Sequence, residues 1–94
     1  MEVSTKPGAI QRTDVLDAVI DGHLGKGLVV TRQAVIQFFS DVAESYTGVF
    51  LSNSEMTTGV SSPTYDHFTQ RVGVGTYRIH PQALLDRMSE RGLA

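Results

Sequence analysis

The sequence predicts an α+β domain in which helices dominate and a β-hairpin is followed by one last helix. Three observations lead there. Thr31 is a helix-capping residue in front of Val35, Ile36, Phe38, Phe39 and Val42, which recur at helical spacing. Residues 72–79 place β-forming side chains on either side of a glycine-containing reversal. Pro81 opens an apolar-periodic segment at the one helical position where its missing N–H costs nothing. The chain has 94 residues, enough for a single modest core. That domain is expected over residues 13–94, behind a leader, 1–12, whose Ser4, Thr5, Lys6, Pro7 and Gly8 show no periodicity and favour partial disorder.

In chain order, Thr13 and Asp14 start a first helix over about 14–23, with Val15, Leu16, Val19 and Ile20 on its apolar face and Gly22, Gly25 and Gly27 stopping it. Leu28, Val29 and Val30 are too few for an independent strand and are expected as a short edge added to a sheet. The second helix follows Thr31 and carries Arg32, Gln33, Gln37 and Asp41 on its polar side. Ser45, Tyr46, Thr47 and Gly48 are expected to break it, and a third helix of two or three turns starts at Val49, Phe50 and Leu51. Residues 57–64, rich in Thr, Ser and Gly with Pro63, form a loop, and 65–69 are a helical turn or the beginning of a strand. The hairpin occupies about 68–80. Ala83, Leu84, Leu85 and Met88 then line the last helix, which ends near Gly92.

Composition excludes several functions. The absence of cysteine removes disulfides, thiolate metal sites and a cysteine nucleophile, and it fits the cytoplasm, the expected location. No stretch approaches a membrane span or an apolar signal segment, so no membrane partner is expected. Eight Lys and Arg against ten Asp and Glu give a net charge of −2, the wrong sign for holding nucleic acid by bulk charge. Any contact with DNA must come from a local patch.

The order helix, short strand, helix, helix, hairpin, helix is that of a winged-helix domain. At the residue level, the run Phe68-Thr69-Gln70-Arg71-Val72-Gly73-Val74-Gly75-Thr76-Tyr77-Arg78-Ile79-His80-Pro81 resembles the wing of small winged-helix-like domains of uncharacterised bacterial proteins and of proteins found beside restriction enzymes. There an Arg-Val-Gly, a second Gly and a Tyr-Arg-aliphatic strand recur. The resemblance spans 28–81 in element order and is specific over 68–81. Val74 and Thr76 stand where such wings commonly carry basic residues. The small size, single domain and lack of enzyme motifs also resemble the orphan proteins of mobile, integron-type gene cassettes, a likeness that implies no activity.

The winged-helix resemblance implies duplex DNA as partner and an associated or regulatory role. The candidate contacts are Arg32 and Gln33 at the start of helix two, Ser52, Asn53 and Ser54 at the end of helix three, and Arg71 and Arg78 on the wing. Alternation places Val72, Tyr77 and Ile79 on the buried face of the hairpin, so both wing arginines are expected together on its solvent face. Each candidate has a plainer reading: Ser52 to Ser54 as helix terminators, Arg32 and Gln33 as a solvated first turn, the two wing arginines as a solvated pair.

The alternative function is a protein-interaction or assembly module. Phe38 beside Phe39 and Leu84 beside Leu85 sit about 100° apart on their helices, too widely spread for one core-facing stripe to hide all four. Leu84, Leu85 and Met88 are therefore the candidate interface of a homo-oligomer. No catalytic site is expected. Gly73-Val74-Gly75 lacks the third glycine and the strand-to-helix context of a phosphate loop. His23, His67 and His80 lack metal-ligand spacing, and no pattern couples Ser52, Ser54, Glu55 or Asp66 into a nucleophile and base. Neither metal nor organic cofactor is expected.

Overall fold

The computed structural model describes residues 10–25 and 27–93. Most of the expected leader, 1–9, lies outside the described residues, whereas Ile10 packs against the core and Arg12 already opens α1 (Arg12–Ile20). The backbone N–H of Gln11 donates to the Asp14 carboxylate at 2.8 Å, which fixes the helix start two residues ahead of the expected 14. Val15, Leu16 and Ala18 are buried; the helix then ends at Ile20, and Gly22, at φ 81°, turns the chain so that Leu24 returns to the core.

Thr31 closes one element and opens the next. It ends β1 (Val29–Thr31), and its hydroxyl accepts from the Ala34 N–H at 3.0 Å to cap α2 (Arg32–Phe38). The expected helix ran on to Val42. It stops at Phe38 because the chain turns there, with Val42 N donating to the Phe39 carbonyl at 2.9 Å and the Val42 side chain buried.

The third helix departs most from expectation. α3 (Glu44–Asn53) runs straight through Ser45, Tyr46, Thr47 and Gly48, the residues expected to break it. The cause is tertiary. Thr47 is buried, and the Arg32 side chain lies across Gly48, donating from Nε to the Gly48 carbonyl at 2.8 Å. A Cβ on residue 48 would stand 2.6 Å from Arg32 Nη2, so a glycine here admits the arginine rather than ending the helix. Packing has overridden propensity.

β2 (Thr69–Gly73) and β3 (Thr76–Ile79) form the hairpin, joined through Val74 and Gly75, with Gly75 at φ 60°. The three strands make an antiparallel sheet in the order β1-β3-β2. Val30 lies opposite Tyr77, and Thr69 opposite Ile79. These four side chains are buried and form the inner face of the sheet. The backbone N–H of Arg32 donates to the Gly75 carbonyl at 2.8 Å, fastening the hairpin turn to the start of α2.

β3 leads directly into α4 (Pro81–Glu90). His80 caps it: Nδ1 accepts from the Gln82 N–H at 3.1 Å, which makes Nε2, 3.0 Å from the Ser61 carbonyl, the protonated nitrogen. Ala83 and Leu84 enter the core beside Leu16 and Ile79. Arg87 grips Asp17 of α1 with two hydrogen bonds, 2.7 Å from Nε and 2.9 Å from Nη2, and Arg91 adds contacts to Asp17 and Asp21. The fold is thus α+β, with four helices and three strands among the described residues, none of the helices long and apolar enough to cross a membrane.

Two outcomes follow. Thr69→Val keeps the shape of the side chain but leaves the buried Leu51 carbonyl without the hydroxyl that donates to it at 2.7 Å; urea denaturation should show a loss of about 1–3 kcal/mol. The hydrogen bonds from Arg87, reinforced by its charge and by Arg91 against the opposing effect of burial, hold the Asp17 carboxyl below its ordinary range. A depressed folded pKa contributes stability that is present above the unfolded value and lost as pH falls through the folded one. Asp17→Asn should therefore lower the melting temperature at neutral pH by about 4 °C, and the gap to wild type should close on acidification from about pH 5 toward pH 2.

Candidate functional site

The wing arginines do not share a face. Directly opposed residues in an antiparallel pair lie on the same side of a sheet, and Arg71 opposes Tyr77 whereas Arg78 opposes Gln70 and Val29. Arg71 therefore lies on the Tyr77 side and Arg78 on the outer side, which corrects the expectation of a paired solvent-face patch. The reason is Val72: a register irregularity between Arg71 and Gly73 puts this valine out of phase, leaving it 54% exposed instead of buried with Tyr77 and Ile79. Arg71 turns back on its own hairpin, with Nε donating to the Gly73 carbonyl at 3.2 Å. At the tip, Val74 is 90% exposed.

At the start of α2, Gln33 faces solvent, but Arg32 is directed at α3: besides Gly48, its Nη2 lies 3.6 Å from a Glu44 carboxylate oxygen. Ser52, Asn53 and Ser54, adjacent in sequence, do not form one exposed patch, because successive helical residues diverge by about 100° and Ser54 already caps the helix end. Ser54 is buried and its hydroxyl donates to the Phe50 carbonyl at 2.9 Å. Ser52 is exposed and donates to the Val49 carbonyl at 3.1 Å, while Asn53 faces a cleft. On α4, Leu84 belongs to the core of its own chain, Met88 is half-buried and Leu85 is exposed.

α3 carries two stripes. Thr47, Leu51 and Ser54 turn inward. Tyr46, Val49, Phe50 and Asn53 follow the i, i+3, i+4, i+7 spacing of a second face, on which Tyr46 is 54% and Val49 44% exposed. Two adjoining clefts run along that face, one of about 480 Å³ and one of about 200 Å³, and both are lined by Ile10, Phe50 and Asn53. The larger is completed by the first turn of α1 and by Tyr65, Asp66 and Phe68 from the segment before β2. There the Arg12 guanidinium lies 4.8 Å from the centre of the Tyr65 ring and 5.7 Å from that of Phe68.

The sequence reading missed this cleft because Ile10, Gln11 and Arg12 fell inside the expected leader, and Tyr65 at the start of a segment read as a helical turn or the beginning of a strand. One signal was available: Arg12 directly precedes the Thr13 and Asp14 that mark the helix start. The histidines occupy separate environments: His23 stacks on Phe38 at 4.9 Å, His67 accepts or donates a contact with Thr64, and His80 caps α4. Among the described residues no three His, Asp or Glu side chains gather to hold a metal ion. No protein-family model, curated protein or solved structure matches the chain.

Proposed function

We propose that this chain is a non-enzymatic binding module of winged-helix-like architecture, and that its partner is a protein docked on the outer face of α3. The architecture is supported by the order α1-β1-α2-α3-β2-β3 with the hairpin as wing, which makes α3 the counterpart of a recognition helix. One observation carries the choice of partner. The outer face of α3 offers Tyr46, Val49 and Phe50 beside a groove, while the only charged residue on the whole helix is Glu44. A helix laid into a DNA groove needs cations to neutralise phosphates, and this one has none. Arg32 is turned to Glu44, Arg87 and Arg91 to Asp17 and Asp21, and the wing arginines lie on opposite faces. An exposed aromatic and aliphatic stripe flanked by a groove is instead the usual anchor of a protein contact.

The test sets the two partners against each other. A photo-crosslinking residue at position 49 should yield a protein adduct that is lost on Tyr46→Glu, while the same group at position 89, on the exposed side of α4, yields none; an adduct of twice the chain mass identifies a second copy as the partner. Duplex DNA titrated at low salt should show no binding that depends on Arg71 and Arg78. Tight binding that falls steeply with salt and weakens in Arg71→Ala and Arg78→Ala would overturn the proposal in favour of DNA.

A further inference from the structure

We infer that the larger cleft, at the first turn of α1, binds a small organic monocarboxylate with an aromatic or branched apolar body. Its volume of about 480 Å³ lies within the range of small-molecule sites, roughly 300–1,000 Å³. The walls divide the chemistry in two. Ile10, Phe50, Tyr65 and Phe68 supply apolar surface for a hydrophobic body. Arg12 supplies the anion contact, and it stands at the first helical position of α1, where the helix dipole adds to its positive charge.

The arginine is the unexplained member of the set. Its Nε is buried and has no hydrogen-bond partner among the described residues. A charged donor left without an acceptor is costly, and a bound carboxylate supplies the missing acceptor. The ion pairs among the described residues engage Arg32, Arg87 and Arg91, not Arg12. The two rings beside the guanidinium pack on its plane, and among the described residues they take none of its N–H donors. Nε is buried in this structure, so binding requires the side chain to move toward the cleft until its Nε and Nη edge, the fork that matches a carboxylate with two parallel hydrogen bonds, faces the ligand. Asp66 lines the same cleft and repels a second negative charge, which restricts the ligand to a monoanion. Asn53 offers an amide at the junction with the smaller cleft.

This site does not depend on protein docking at Tyr46 and Val49, and its test uses a defined probe. We would titrate 3-phenylpropionate into the 94-residue chain and follow backbone amide shifts by NMR. Shifts should concentrate at residues 10–12, 50–54 and 65–68, and the neutral isostere 3-phenylpropionamide and the dianion phenylsuccinate should each bind about tenfold more weakly. Arg12→Gln should weaken the acid about tenfold and leave the amide unchanged, while Arg12→Lys, a point charge without the fork, falls between. Because Arg12 also packs on two rings, Asp66→Asn is the independent check: this exposed residue can be changed without disturbing the core, and removal of its charge should tighten phenylpropionate several-fold. Equal affinity for acid and amide, shifts centred elsewhere, or no saturation at about 10 mM would overturn the inference.

Discussion

The rest of the molecule depends on a buried polar junction between the end of α3 and the start of β2. Thr69, wholly buried, donates its hydroxyl to the Leu51 carbonyl at 2.7 Å, and the buried Ser54 hydroxyl lies 3.4 Å from it. The Ser54 carbonyl accepts from the backbone N–H groups of both Phe68 and Thr69, at 2.8 and 3.0 Å, and the Thr69 carbonyl accepts from Met56 at 2.8 Å. Buried hydroxyls and peptide groups are tolerable only when their partners are present, so this cluster admits one relative placement of helix and strand. It closes the 55–68 loop and seats Phe68 in the core. With Thr69 opposite Ile79 it also sets the register of the hairpin, and hence the position of His80 and Pro81 from which α4 departs.

The local signals in the sequence were those whose chemistry is local. Thr31 as a cap, Gly75 in a hairpin turn and Pro81 at a helix start each act within four residues, and each stands where the sequence placed it. The short strand at 29–31 was legible only as an edge, because its pairing comes from Tyr77 and its neighbours almost fifty residues later. The start of α3 was illegible for a similar reason. Gly48 reads as a breaker until Arg32, sixteen residues earlier, is known to need the space its missing side chain leaves. The register irregularity at Val72 also escaped alternation, which assumes an unbroken period of two; that one residue separated two arginines expected on one face.

The candidate site was less legible than the fold. Ser52, Asn53 and Ser54 suggested a polar end to the third helix, but they do not serve one surface: Ser52 is exposed, whereas Asn53 and the buried Ser54 both line the larger cleft. Arginines are equally deceptive in a sequence. Arg87 and Arg91 join α1 to α4, and Arg32 joins α2 to α3, so these cations act as ties between helices before they can act on a partner. Arg12 is the converse case, a residue of the expected leader that became the polar centre of an aromatic cleft.

The exposure of the outer face of α3 follows from how the described elements are placed around it. Its inner stripe meets β2 at the junction with Thr69 and meets α2 through Arg32, which uses two of the elements available. Among the described residues, the outer stripe is met by Ile10 and the first turn of α1 at one end and by Tyr65 and Phe68 near the other. Coverage therefore fades across one turn of helix, from Leu51, fully buried, through Phe50, half-buried, to Val49, open to solvent. A ten-residue helix that spends its central turn on an apolar face must either bury that face within the chain or offer it to something else. Among the described residues, the groove beside Tyr46, Val49 and Phe50 is where that face is left open.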